Sequence, residues 1–305
     1  MIKPSPTISV VVDIRGINSK SRVIRGVSMI ILDNHLHLRR DGRFIEAVKD
    51  FQRAGGTHIV LCQLPMTKLV VETKSYRKCY DETLKIADEI REKTDIIVYV
   101  TVGPYPVDYL RLKEVFGREE AVEIMKKGMD EAAKLCEEKL CIGIGEIGRP
   151  HFMVPREVIE DSNDILLYGM GRAREIGVPV ILHTEHTTPE QCRELVEMGR
   201  KVGLPANRII KHYSPPLVRE EENFGIMPSI LASRENILEA VKKGLRFMME
   251  TDYIDDPRRP GAVLGPKTVP KRTKELLEDE LLTEEEVMII HKDNPEETYG
   301  IEIEE

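Results

Sequence analysis

Residues 28–37 read Ser-Met-Ile-Ile-Leu-Asp-Asn-His-Leu-His, a short apolar run that ends in two histidines separated by one residue. A run of this kind predicts a buried strand over 28–34. In extended chain, residues two apart point to the same side. His35 and His37 therefore present both imidazoles in one direction, where they can hold one divalent ion. Taken alone the pair also fits two exposed histidines where a strand frays, so the rest of the chain has to decide.

Seven further short apolar runs follow, at 57–62, 95–102, 140–145, 178–183, 207–212, 224–229 and 246–252. Between them lie amphipathic stretches such as 42–56, 80–93, 119–139, 165–177, 189–203 and 233–244, several closed by a glycine where a helix C-terminus wants one. This alternation predicts parallel strands joined by helical crossovers. Eight such units predict an α/β fold closed into a (β/α)8 TIM barrel, with an open doubly wound sheet as the alternative. Closure matters, because only a barrel brings the ends of strands 1, 4, 5, 6 and 8 around one mouth. Residues 1–28 stand outside the repeat and read as a short N-terminal extension resembling a β-hairpin, which leaves 29–305 for the barrel.

Each of those five strand ends carries a metal-ligating residue type. The fourth ends in Gly145-Glu146-Ile147-Gly148, the fifth in His183-Thr184-Glu185-His186, the sixth in Lys211-His212-Tyr213 and the eighth in Glu250-Thr251-Asp252. Active sites of barrels are built at the C-terminal ends of the strands, so the five placements agree on one pocket. Four histidines and two carboxylates exceed what one catalytic ion needs. The set predicts two ions with Glu146 as bridge, His35, His37 and Asp252 on one, and His183 and His212 on the other. Water on such an ion loses its proton near pH 7 rather than near 15.7, which predicts hydrolysis by a metal-bound hydroxide, with Asp252 and Glu146 as catalytic residues. Asp252 would accept the nucleophile's proton.

Composition narrows the remaining choices. Of 305 residues, 41% are hydrophobic and 32% charged, a balance that excludes a disordered chain or a disulfide framework. With 45 Lys and Arg against 53 Asp and Glu, the net charge of −8 gives no overall basic excess for gripping nucleic acid or an anionic membrane. No apolar run is long enough to span a bilayer and no secretion-signal order opens the chain, so a cytoplasmic location is expected, and no protein partner is inferable. The five cysteines are scattered without a CxxC pair, which fits reduced thiols and leaves metal binding to His and carboxylates.

Other features have plainer readings. Gly143, Gly145 and Gly148 spell GxGxxG, but Pro150 and Pro155 block the helix that must follow at once in a dinucleotide site. Cys62 reads as core packing rather than a nucleophile, His58 as structural at the opposite barrel end, and His291 as a surface or cap residue on the last helix. Thr283 and Glu286 spell a capping box for that helix. Residues 257–274 hold four Pro, two Gly and six Lys or Arg with no acid, and predict a basic loop on the catalytic face. Arg149, His151, His186 and Tyr213 are the expected substrate contacts.

The motifs DNHLH (33–37), GEIG (145–148), ILHT (181–184), KHYSP (211–215), METD (249–252) and a closing NPxxxYG (294–300), in this order, resemble the TatD group of metal-dependent hydrolases within the amidohydrolase-like barrels. The resemblance spans roughly 29–301. It implies a (β/α)8 barrel, two divalent ions (zinc, manganese or magnesium) on the same six residues, and hydrolysis of phosphodiesters, typically by nucleases acting on DNA ends. Two positions depart from the group. After GEIG it usually continues Leu-Asp, whereas here Arg149-Pro150-His151 follows. Two residues past the strand-5 histidine it presents Arg, whereas here Glu185 stands, followed by His186. A lost phosphate-gripping cation keeps a second expectation open, a small-molecule amidohydrolase, esterase or lactonase acting on a small anionic substrate, and a third, a metal-binding barrel without turnover.

Overall fold

The computed structural model describes residues 29–304, so the extension expected over 1–28 lies outside the described residues. The chain forms a (β/α)8 barrel. Its strands are β1 (Leu32–His37), β2 (His58–Cys62), β3 (Ile97–Val102), β4 (Gly143–Gly148), β5 (Val180–His183), β6 (Ile209–Ser214), β7 (Met227–Leu231) and β8 (Met248–Glu250), followed at once by β9 (Tyr253–Ile254). All pairings are parallel, in the order β8-β7-β6-β5-β4-β3-β2-β1-β9.

The eighth unit is split in two. β8 pairs with β7, the chain turns at Thr251 and Asp252, and β9 pairs with β1 through Leu36 against Tyr253 and His37 against Ile254. The ring closes there, helped by the Asp252 N–H donating to the His35 carbonyl at 2.9 Å and the Asp255 N–H to that of His37 at 3.2 Å.

Local chemistry explains the flanking helices. The helix Pro189–Val202 starts on a Thr188/Gln191 capping box with Pro in its first turn, and stops at Gly203, whose φ of 78° suits glycine. The helix Arg156–Ile176 starts after Pro155. Leu61, Val102, Ile144, Leu182 and Ile209 are fully buried, as strands covered on both faces require. At Gly145 a Cβ would lie 2.5 Å from that of Ile181, so the absence of a side chain lets β4 run against β5 beside Glu146.

Several expectations need correction. β1 begins and ends later than 28–34, so His35 and His37 stand inside the strand rather than beyond it. Much of 257–274 is not loop: the helix Thr268–Glu278 takes up its second half, with Pro270 in the first turn where proline is tolerated. His291 is buried, its Nδ1 3.1 Å from the backbone of Leu32 and its Nε2 2.9 Å from Thr273 Oγ1, because the last helical segment packs beneath β1. The Thr283/Glu286 capping box is present. No described helix is long and apolar enough to cross a membrane.

Candidate metal centre

The six expected ligands come from β1, β4, β5, β6 and the turn after β8, and their side chains meet at the C-terminal mouth of the barrel. Glu146 Oε1 lies 3.2 Å from His35 Nε2, 3.0 Å from His212 Nε2 and 3.4 Å from His183 Nδ1. Asp252 Oδ1 lies 3.6 Å from His37 Nε2 and 3.9 Å from His35 Nε2. Two groups have ligand atoms all within 4.8 Å of one another: His35, Glu146 and His212, and His35, His37 and Asp252. His183 joins through Glu146 and through His212 Nε2, 3.3 Å from its Nδ1.

Whether these residues suit a cation turns on their protons. Each imidazole has its outward nitrogen against a partner. His37 Nδ1 donates to the Cys62 carbonyl at 3.1 Å, and His212 Nδ1 donates to Glu250 Oε1 at 3.2 Å. His35 Nδ1 lies 3.1 Å from Cys62 Sγ, and His183 Nε2 lies 2.8 Å from His151 Nδ1. At His37 and His212 these acceptors fix the outward proton, so each neutral ring presents its inward nitrogen as a lone pair toward the carboxylates. Lone pairs packed this closely repel unless a positive charge lies between them, so the donor set fits divalent metal.

The electrostatics carry the same asymmetry. Burial pushes the Glu146 carboxyl up, but His212 and His183 outweigh it and bring the group well below its ordinary value. Burial raises Asp252 to about 6 and lowers His37 to about 4. Asp33, two residues before His35 on β1, is raised to about 7 by burial and accepts from the Thr251 hydroxyl at 2.6 Å and its N–H at 2.9 Å. That contact fixes the turn that carries Asp252.

A cavity of about 480 Å³ opens above the cluster, bounded by Tyr105, His151, His186, Tyr213 and Arg259 among others. Three of the four expected substrate contacts, His151, His186 and Tyr213, line it. Arg149 does not: it is 2% exposed and held by Glu185 at 2.6 Å and Glu194 at 2.7 Å, because the residues after β4 and β5 are neighbours across the Gly148–His183 register. Cys62 is buried as expected, with burial raising its thiol, yet it touches a candidate ligand rather than inert core.

Sequence reasoning missed three residues here. Glu250 stands two residues before Asp252, a same-side spacing that was available to read. Lys211 is buried in the cavity floor with its Nζ on the His212 carbonyl. Tyr105, whose hydroxyl is 3.5 Å from His183 Nε2, sits in a loop without any spacing signal.

A parallel barrel that gathers imidazoles and carboxylates at its strand ends in this way is built as a metal-dependent hydrolase. The chain belongs to the TatD related DNase family, which it matches over residues 32–300. It is 40% identical over 280 residues to an uncharacterized protein of Methanocaldococcus jannaschii, covering 91% of this chain and 98% of that one. Among solved structures, a TatD homolog from Escherichia coli K12 is similar with a TM-score of 0.61 at 14% identity, over 90% of this chain and all (100%) of that one. The phosphotriesterase homology protein from Escherichia coli, solved with phosphate in its active site, is similar with a TM-score of 0.55 at 12% identity, over 90% of this chain and 100% of that one. At these identities the structural likenesses speak for the fold.

Proposed function

We propose that the protein is a binuclear metal-dependent hydrolase of phosphoester bonds. The observation that carries this reading is the inward convergence of His35, His37, Glu146, His183, His212 and Asp252 with their outward nitrogens already partnered. His35, His37 and Asp252 would hold one ion and His183 and His212 the other, with Glu146 between them. Zinc, manganese and magnesium all suit parts of this nitrogen and oxygen set. Such ions supply an activated water and polarise the scissile bond. Asp252 borders the cavity and takes the proton of the attacking water. As the new O–P bond forms, the bond to the leaving group breaks, and the leaving oxygen takes up a proton.

Membership of a family described as DNases supports phosphodiesters, DNA ends among them, and the phosphate in the active site of the Escherichia coli phosphotriesterase homology protein supports the same bond class. A second reading, hydrolysis of a small ester, lactone or amide on the same centre, is favoured by Glu185, a carboxylate at the cavity edge.

Metal content by mass spectrometry on protein purified without chelator, followed by assays with that metal restored, tests both. Cleavage of DNA ends or phosphoester chromogens is expected. Turnover confined to carboxyl esters or lactones moves the assignment to the second reading, and a fully metallated protein that turns over no substrate of a broad panel is a binding barrel.

A further inference from the structure

The strand-5 position where the family offers a phosphate-gripping arginine is here Glu185, and that carboxylate is tied to the buried Arg149. The two charges neutralise each other within the wall, so any anion in the mouth must be held from elsewhere.

The other cations near the mouth are committed as well. Arg39 pairs with Asp41 at 2.7 Å, Arg43 with Asp50 at 2.7 Å, Lys267 with Asp50 at 3.4 Å and Arg258 with Asp256 at 3.1 Å. Lys211 is turned onto a backbone carbonyl. The basic stretch 257–274 leaves the mouth with its helix, so that the Lys274 Nζ ends beside Gly55, in a groove at the N-terminal ends of the strands. Arg259 differs from all of these. It borders the same cavity as His183, His212 and Asp252, and among the described residues no acidic group pairs with it.

Resting on the proposed phosphoester chemistry, we infer that Arg259 grips the substrate's phosphate, and that the substrate is a compact organic molecule carrying a single phosphate group. A polymer needs a track of cations, since each neutralised phosphate adds its own increment of binding and of salt dependence. Among the described residues the mouth offers one free guanidinium, above a cavity of about 480 Å³ that is within the range of small-molecule sites. Ile254, Ala262, Val263, Tyr105 and Tyr213, which share the lining with His151, His186 and the Arg149-paired Glu185, give surface for a neutral remainder. Guanidinium forks match phosphate oxygens bidentately, and on an exposed loop Arg259 holds that fork at the entrance.

The test uses manganese-loaded protein and the variants Arg259→Ala and Arg259→Lys. Calorimetry with inorganic phosphate should show binding to the native chain, weakened about tenfold or more by Arg259→Ala and partly recovered by Arg259→Lys. With p-nitrophenyl phosphate the loss should fall on KM rather than kcat. Equal phosphate affinity in native and Arg259→Ala protein, or no phosphate binding by the native metal-loaded chain, overturns the role of Arg259. Cleavage of oligonucleotide ends faster than of the monoester, with a steep fall in rate as salt rises, overturns the compact substrate. Failure of the underlying reading is distinct, because it appears as native protein that binds phosphate through Arg259 yet hydrolyses no phosphoester.

Discussion

Glu250 Oε1 accepts the Nδ1 proton of His212 at 3.2 Å, and the same oxygen accepts the backbone N–H of Tyr213 at 2.8 Å. Its other oxygen takes the hydroxyl of Ser229, Ser229 Oγ accepts from Asn34 Nδ2 at 2.9 Å, and Asn34 Oδ1 accepts from the Tyr299 hydroxyl at 3.0 Å. A buried chain of hydrogen bonds thus runs from the closing NPxxxYG segment to the imidazole of a candidate ligand, His212. Carboxylates behind ligating histidines typically contribute 10–100-fold in metal affinity. Glu250→Gln is expected to weaken zinc or manganese binding by about that factor, read by competition against a chromogenic chelator. Unchanged affinity would leave Glu250 a structural residue only.

Asp252→Ala and Glu146→Ala should each abolish turnover while far-ultraviolet circular dichroism stays native. For Asp252 the loss in kcat expected from removing a general base alone is about 10²–10⁴-fold, to which lost metal binding adds. Full turnover by Asp252→Ala would remove it from the proton-acceptor role.

Stripping the protein with a chelator should abolish activity and lower thermal stability, and returning metal should restore both. At a free concentration a hundred times the dissociation constant, one bound ion stabilises by about 2.7 kcal/mol, or roughly 4 °C in Tm for a chain of this size. His35→Ala, which removes a member of both ligand groups, should lose most of that shift in differential scanning fluorimetry.

Away from the mouth, Asp108 is 1% exposed and accepts from the Thr67 hydroxyl at 2.5 Å and the Tyr76 hydroxyl at 3.1 Å. Burial outweighs those bonds and raises its carboxyl from 3.8 to about 6. The folded state therefore holds this proton where the unfolded chain has released it. The Asp108 contribution to stability is fully present below about pH 4 and is lost as pH rises to about 6, on the order of 2–3 kcal/mol in total. Urea denaturation of native and Asp108→Asn protein across pH 4–7 should show a native-minus-variant difference that falls with rising pH in that window. A difference that stays flat rules this titration out.

The parts of the site legible in the sequence are those where backbone period alone sets direction. His35 and His37 could be paired because alternation in a strand fixes which side each faces, and Glu146, His183, His212 and Asp252 followed from strand ends sharing one mouth. Glu250 obeyed the same spacing and was passed over because nothing in the sequence says which partner waits behind His212. Pairings across strands were illegible for a different reason. The sequence shows the swap to Arg149 and Glu185, but that the two bind each other depends on the β4–β5 register. His291 and the basic stretch 257–274 depended on where a helix docks, which composition does not encode: a proline in the first turn of Thr268–Glu278 reads as loop until the helix is seen to begin there.

The split between β8 and β9 has a mechanical corollary. The point where the circumference is fastened, with the Asp252 N–H on the His35 carbonyl, is the same point where His35, His37 and Asp252 converge. An ion seated there would be a rivet between the first and last staves of the cask, and prising the staves apart would spill it. Tightening that joint and sharpening its grip on the ion are one adjustment, so a substitution there cannot reach either property alone.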